Sequence, residues 1–184
     1  MGTEAELSFA LRAGTALVAC GIAVAIDFKQ RRIPNRLTAT TALVGLALQL
    51  AIALAAGRTV WIPLGLALSG AALALAVFLP LSWLGAVGFG DTKLMVALGV
   101  CFGPVPMLQV IVATALAGGV MALAQSARHA QLNAVWTNLR RGQLLARRID
   151  EPGHKLHQMP YALAIACGTG WTVLAHCVPQ LALL

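Results

Sequence analysis

The amino-acid sequence predicts an all-α membrane protein with about six transmembrane helices. Hydrophobic residues make up 59% of its 184 residues, charged residues make up only 10%, and several apolar runs reach spanning length. A helix needs ~20 mainly apolar residues to cross ~30 Å of hydrocarbon, and the chain has room for about six such segments with short connections. We therefore expect a single polytopic domain over residues 1–184.

Proline and glycine residues separate the predicted helices, at Pro34, Gly57, Pro80 and the pair Gly103 and Pro104. The helices are expected near residues 7–27, 38–56, 60–80, 83–103, 105–125 and 160–182. The chain starts with the acidic stretch "MGTEAEL", and no small-residue cleavage site closes the first apolar run. We therefore expect the first helix to stay in the mature protein, because a signal peptide has the opposite features.

The basic residues predict how the helices are oriented. Eleven of the thirteen Lys and Arg residues fall on one side of the predicted helices, all but Lys93 in connections, and only Arg12 and Arg58 fall on the other. The positive-inside rule then puts both termini outside and the basic connections in the cytoplasm, as in a multi-pass protein of the inner (cytoplasmic) membrane. This topology accounts for the net charge of +7, so we expect the lipid bilayer as a partner and no nucleic acid.

The long polar loop at about 126–159 is expected on the cytoplasmic side. Apolar residues recur in it at helical spacing, at Leu132, Val135, Trp136 and Leu139. Two interpretations stay open, a helix lying on the membrane surface and a disordered basic linker. His154 and His157 have no acidic or Cys motif beside them, so we expect them to be solvated loop residues rather than metal ligands.

The acidic residues are fewer, and two of the six fall at membrane depth. Asp27 closes the first predicted helix, and Asp91 falls about eight residues into the fourth. An ionised carboxylate inside a span costs about 2.5–3.5 kcal/mol even on lenient insertion scales. Either residue alone is explained by a helix cap or a Lys partner, whereas two carboxylates at one depth indicate a functional pair.

Three glycines precede the second aspartate, at Gly85, Gly88 and Gly90. They weaken the helix and remove side chains that keep another backbone away. An extended peptide bound beside Asp91 explains them, and so does close packing between helices. The spacing of the glycines leaves both interpretations open.

Three segments together resemble the type IV prepilin peptidase family. The stretch "GFGD" followed by "TKL" is similar to the Gly-x-Gly-Asp motif of intramembrane aspartyl peptidases. The stretch "AIDFKQRRIPNRLT" resembles the segment at the first catalytic aspartate of prepilin peptidases, and "MPYALAIACG" resembles the start of their last helix. The three matches occur in the family's order, and the resemblance covers essentially the whole chain.

The resemblance implies roles for particular residues. Asp27 and Asp91 are implied to be catalytic, one deprotonating a water molecule and the other giving a proton to the leaving amine. The residues implied to bind the substrate are Pro34, Asn35, Gly88, Gly90, Lys93, Pro160 and Tyr161. For Lys93, an acidic residue of the pilin, the neighbouring Asp91 and the membrane surface are all open as partners.

The long bacterial form of that family carries paired Cys-x-x-Cys motifs, which this chain lacks. Its cysteines are scattered singly through apolar segments, so we expect no metal and no cofactor. The chain looks like the short, peptidase-only form that serves Flp-type pili. The implied function is an intramembrane aspartyl endopeptidase that removes the short basic leader from Flp-type prepilins or pseudopilins at the cytoplasmic face.

Three alternative functions remain open. One is an archaeal-type preflagellin peptidase, because that branch shares the catalytic pattern. Another is a small proton- or cation-coupled transporter that binds its ion at Asp27 and Asp91, although no inverted repeat is visible and both carboxylates lie toward one face. The third is a catalytically idle assembly protein, in which both aspartates are dispensable.

Overall fold

The computed structural model describes residues 2–30, 33–128 and 161–177, and the side chains of residues 8–29, 33–124 and 161–177. These parts of the chain form helices and no strand, which confirms the all-α prediction. The helices are α1 (Gly2–Gln30), α2 (Asn35–Ala55), α3 (Trp61–Trp83), α4 (Phe89–Phe102), α5 (Pro104–Arg128) and α6 (Tyr161–Cys177).

Four of these helices are long and apolar enough to cross a membrane. Their apolar spans are Ser8–Lys29, Asn35–Ala55, Trp61–Trp83 and Pro104–Ala124. Helix α6 is a shorter apolar helix, and α4, with its 14 residues, extends only about 21 Å. The chain is a multi-pass membrane protein, while the outside location of the termini stays a prediction.

Successive helices run in opposite directions, so the bundle has two ends. We call one the aspartate end, where α1 finishes near Asp27 and α4 begins near Asp91. We call the other the arginine end, where Arg12 of α1 and Arg58 of the connection between α2 and α3 line one cavity. The expectation that both aspartates lie toward the same face agrees with this arrangement.

Helix α4 is the most enclosed element. Its Leu94, Met95 and Leu98 have no exposed surface, and they pack into a core with Phe78 and Phe102. Lipid tails are as apolar as these side chains, so tight packing rather than transfer from water stabilises the contacts between the helices. The short α4 is therefore held by its neighbours along most of its length.

Small residues let α4 approach α3 closely. The buried stripe of α3 recurs every three or four residues, at Pro63, Ala67, Gly70, Ala74, Phe78 and Ser82. A Cβ on Gly99 of α4 would lie 2.7 Å from the carbonyl carbon of Gly70, so neither position has room for a side chain against the facing backbone. The backbones of α3 and α4 are in direct contact at this crossing.

The buried amide of Gln49 secures the other end of α4. Its Nε2 donates hydrogen bonds to the carbonyl oxygens of Val100 and Cys101. These carbonyls belong to the last turn of α4, where a helix has no intrahelical donors left. The polar side chain thus satisfies groups that neither lipid nor apolar neighbours can satisfy.

The fourth helix begins later than predicted. It was expected over 83–103, but α3 continues through Pro80 to Trp83 and α4 begins at Phe89. Gly85 has φ 72°, which favours glycine, and the Ala86 N–H donates to the Leu81 carbonyl at 2.9 Å. This turn ends α3, so Pro80 lies inside the helix instead of separating two helices. The loop was predicted to start at about 126, but α5 continues to Arg128, and residues 129–159 of the predicted loop, with its two histidines, lie outside the described residues.

Candidate active site

The first turn of α4 carries Asp91, which is the third residue of the helix and not about the eighth as expected. Gly88 precedes the helix in an extended conformation, with φ −72° and ψ 146°. Its carbonyl accepts a hydrogen bond of 3.1 Å from the Thr92 N–H. The break at the glycines therefore puts the Asp91 carboxyl group beside a helix N-terminus, where the dipole favours negative charge.

A buried pair of hydroxyl groups anchors this turn to α3. Ser82 Oγ lies 2.5 Å from Thr92 Oγ1, and both side chains are buried. Ser82 belongs to the last turn of α3, and Thr92 directly follows Asp91. The pair therefore fixes how the start of α4 sits against the end of α3.

The connection from α1 to α2 packs on the same turn. Pro34 is extended, with φ −69° and ψ 137°, and its carbonyl accepts a 3.0 Å hydrogen bond from the Leu37 N–H. A Cβ on Gly90 would lie only 3.3 Å from the Cβ of Ile33. Gly90 thus allows the chain that follows α1 to contact the start of α4.

The two aspartates lie near each other here. Both side chains are partly buried, and their carboxyl groups are close enough to interact electrostatically. They are the only two acidic residues whose side chains are described. Helix α1 delivers Asp27 from its last turns, and α4 delivers Asp91 from its first turn. Two carboxyl groups in this arrangement tend to share one proton, as general acid and base catalysis requires.

Gly88 leaves space directly at the Asp91 carboxyl group. A Cβ on Gly88 would lie 3.0 Å from Asp91 Oδ2, and Gly88 itself is exposed. Any larger residue here would press on that oxygen. The three glycines therefore have different roles. Gly85 forms the turn, Gly88 leaves room for the Asp91 carboxyl group, and Gly90 leaves room for the Ile33 side chain.

Lys93 has a partner that the sequence did not suggest. Its Nζ donates a 2.9 Å hydrogen bond to Oδ1 of Asn35, and the pair is exposed. Asn35 begins α2, and Lys93 lies in α4. Two of the residues implied to bind substrate thus hold the start of α2 against α4.

Tyr161 opens α6 at the same end of the bundle. Its ring packs on Gly118 of α5, where a Cβ would lie 3.2 Å from Tyr161 Cε2. The phenol is near enough to Asp91 for an electrostatic interaction between the two groups. Pro160, the other residue expected from this segment, lies outside the described residues.

The sequence was compared with known protein families. The sequence profile of the type IV leader peptidase family matches residues 15–123, which is more than half of the chain. The chain belongs to the type IV leader peptidase family. The matched region of this leader peptidase includes both aspartates, the three glycines before Asp91 and the hydrogen bond between Asn35 and Lys93. No curated protein and no solved structure gives a match.

Family membership decides between the classes of function that the sequence left open. The family indicates a peptidase, which is a hydrolase, embedded in a membrane, and it implies a prepilin substrate. A transporter and an idle assembly protein are not what the family implies. The roles of the individual site residues, and the expected absence of a metal and a cofactor, stay predictions.

Sequence reasoning missed four residues that shape this site. Ser82 and Thr92 anchor the first turn of α4, Ile33 fills the space beside Gly90, and Gly118 makes room for Tyr161. Ile33 and Thr92 lie inside the two stretches that resemble prepilin peptidases, so they were visible as neighbours of assigned residues. Nothing in the sequence pairs Ser82 with Thr92 or Gly118 with Tyr161, because those contacts depend on how the helices pack.

Proposed function

We propose that this leader peptidase is an aspartic endopeptidase in which Asp27 and Asp91 act as a catalytic pair. The observation that carries the proposal is that the two carboxyl groups lie within range of electrostatic interaction, in a site with no other described acidic side chain. An ion pair or a helix cap needs only one carboxylate. Two neighbouring carboxylates repel and destabilise each other when both are ionised. A functional role for the pair explains why the protein keeps both.

The reaction follows from the chemistry of two carboxyl groups. The ionised carboxyl group takes a proton from water, and the resulting oxygen nucleophile attacks the carbonyl carbon of the scissile peptide bond. The protonated carboxyl group donates a hydrogen bond to the carbonyl oxygen, and a proton then passes to the leaving amine as the C–N bond breaks. No group other than water and the two acids is required.

The substrate we propose is a Flp-type prepilin or pseudopilin, cut just after a Gly at the cytoplasmic face of the inner membrane. The resemblance implies a short basic leader followed by an apolar segment that inserts as a helix. The exposed Gly88 supports binding of an extended leader, because a backbone can approach Asp91 there without meeting a side chain.

An apolar groove between α1 and α2 fits the segment that follows the cleavage site. Its volume is about 430 Å³, and its walls include Leu11, Gly14, Val18, Ile22, Leu37 and Val44. Leu37 lies three residues after Pro34, and Ile22 lies five residues before Asp27, so one end of the groove is next to the aspartate end. We propose that the apolar helix of the prepilin lies in this groove while its leader is cut.

The first experiment measures leader removal from a co-expressed Flp-type prepilin by intact mass. The variants are Asp27→Asn and Asp91→Asn, with Asp150→Asn as a control for the same chemical change in the predicted loop. We expect cleavage by the native chain and by the control, and none by either variant. Membrane levels of every variant are measured alongside, so that loss of protein is not mistaken for loss of catalysis.

Cleavage by a well-expressed Asp27→Asn or Asp91→Asn protein would contradict the two-carboxylate mechanism. An archaeal-type preflagellin serves as a second substrate in the same assay. If the native chain cuts the preflagellin and leaves the prepilin intact, the alternative branch is the correct one.

A second experiment tests the groove. A Cβ on Gly14 meets no atom within 4 Å, so Gly14→Leu fills the groove without disturbing the helices. Gly65 of α3 has equally open space but does not line the groove, which makes Gly65→Leu a matched control. We expect slower cleavage with Gly14→Leu only. Equal rates for the two variants would show that the substrate helix binds elsewhere.

A further inference from the structure

Arg12 is a cation inside an apolar span. It lies four residues after the start of the span Ser8–Lys29, about 6 Å along the helix axis, and its side chain is partly buried. Its Nε donates a 3.0 Å hydrogen bond to the Ser8 carbonyl. The guanidinium group has two further nitrogens, which suit an acceptor with several oxygens. An ionisable residue at such a depth marks a functional site by default.

Arg12 shares a cavity with Arg58. The cavity has a volume of about 160 Å³ and lies between α1, α2 and α3 at the arginine end. These two residues are the pair that the sequence separates from all other Lys and Arg. The remaining walls are mostly apolar, with Ile52, Ile62 and Leu66 among them. The cavity thus joins two positive charges to an apolar lining.

The N-terminus of α3 adds to the positive potential of this cavity. Ile62 and Pro63, in the first turn of α3, line it. That helix has no capping side chain at Val60 and no acidic residue in its first turn. The first N–H groups of a helix lack intrahelical partners and carry the positive end of the dipole, so they favour an anion.

The protein's described acidic groups do not balance this charge. Asp27 and Asp91 are the only acidic residues with described side chains, and both lie at the aspartate end. Gln49 also lines the cavity, but its amide nitrogen is already bonded to the carbonyls of Val100 and Cys101. Among the described residues, this leaves the positive charge of the cavity for an anionic ligand to balance.

Next to the cavity lies a residue that is typical of a membrane–water interface. Trp61, which begins α3, is 75% exposed, and exposed Trp residues concentrate at that level of a bilayer. We propose that the cavity binds the phosphate headgroup of an anionic phospholipid, with Arg12 and Arg58 as its charged ligands. The apolar walls hold the glycerol and the first acyl carbons, which a free phosphate ion lacks. This site is independent of the proposed peptidase mechanism.

The test is native mass spectrometry of the full-length protein released from mixed micelles of phosphatidylglycerol and phosphatidylcholine. The variants are Arg12→Gln and Arg58→Gln, and the control is Arg36→Gln, an exposed arginine at the aspartate end. We expect the native protein to retain phosphatidylglycerol in preference to phosphatidylcholine. Each cavity variant loses about fivefold of that retention, since one arginine near an anionic lipid surface contributes about that factor. The control retains the native preference.

Three results would overturn the proposal. One is equal retention of phosphatidylglycerol by the native protein and both cavity variants, and another is an equal loss in the Arg36→Gln control, which indicates diffuse charge attraction. The third is full displacement of the lipid by inorganic phosphate, which shows a phosphate site instead of a lipid site. If Arg12→Gln does not fold, two variants still test the proposal. Arg12→Lys keeps the charge within the helix, and Arg58→Gln changes only a connection.

Discussion

The two ends of the bundle differ in the surroundings of their charged residues. At the aspartate end, neighbouring segments close around Asp27 and Asp91, with Ile33 against Gly90 and the hydroxyl pair beneath the first turn of α4. At the arginine end, the chain leaves an open cavity around Arg12 and Arg58. The proposed roles differ accordingly, because the two aspartates act together on a peptide backbone that approaches at the exposed Gly88, whereas the two arginines hold a ligand in their cavity.

Each end contains a turn with a glycine in the left-handed region. Gly85 has φ 72° at the aspartate end, and Gly57 has φ 64° at the arginine end. The local backbone geometry is therefore nearly the same. What differs is the element that follows, because Gly85 leads into α4 with Asp91, while Gly57 leads into α3 and the cavity.

The largest loss of stability is expected at the crossing of α3 and α4. In Gly99→Ala the new Cβ lies 2.7 Å from the Gly70 carbonyl carbon and 2.9 Å from the Ala71 nitrogen, so the backbones of α3 and α4 have to separate. We expect a loss of about 3 kcal/mol in the free energy of unfolding. Thermal unfolding in detergent, followed by circular dichroism, should show a melting temperature lower by roughly 10 °C.

Gly65→Ala is the matched control for this crossing, since its Cβ meets no atom within 4 Å. It should leave the melting temperature within about 2 °C of the native value. If Gly99→Ala is as stable as Gly65→Ala, the two helices are not in backbone contact at this place.

Substitutions of the two turn glycines should have smaller effects on stability and should distinguish the two ends by their effect on cleavage. Gly85→Ala and Gly57→Ala both force an L residue into a left-handed conformation, which costs about 1–2 kcal/mol in each. We expect similar losses of stability. Cleavage of prepilin should fall at least about tenfold only in Gly85→Ala, because a shift of the turn moves Asp91 away from Asp27.

Initial rates of leader removal, measured at equal amounts of folded protein, give this comparison. Equal rates in the two variants mean that the turn at Gly85 does not position Asp91. A reduced rate in Gly57→Ala alone reverses the assignment of the ends.

The smallest effect concerns the exposed hydrogen bond between Lys93 and Asn35. A double-mutant cycle of Lys93→Met and Asn35→Ala should give a coupling of about 0.5–1 kcal/mol in the free energy of unfolding, as expected for one exposed hydrogen bond to a charged group. Unfolding by denaturant in mixed micelles measures it. Additive effects of the two changes indicate that the contact is absent in solution.

The sequence predicted most of the fold and the composition of the site. Apolar runs of spanning length identified the helices, because a backbone in lipid has to satisfy its own hydrogen bonds. The scarcity of acids singled out Asp27 and Asp91, and the three glycines pointed to an irregular backbone before Asp91. The start of α4 was predicted six residues too early, because an apolar sequence does not reveal which glycine takes a positive φ.

By itself, the sequence determined that the chain is a membrane protein, and it predicted that its few charges mark functional places. Hydropathy and charge counts are sums along the chain, so they need no knowledge of packing. Only the tertiary structure decided which polar groups come together, bringing Asp27 near Asp91, Lys93 to Asn35, and Arg12 and Arg58 to one cavity. Those pairings are 64, 58 and 46 residues apart in the chain. They depend on helices crossing at small residues such as Gly70 and Gly99, and such crossings are fixed by the fit of surfaces in three dimensions.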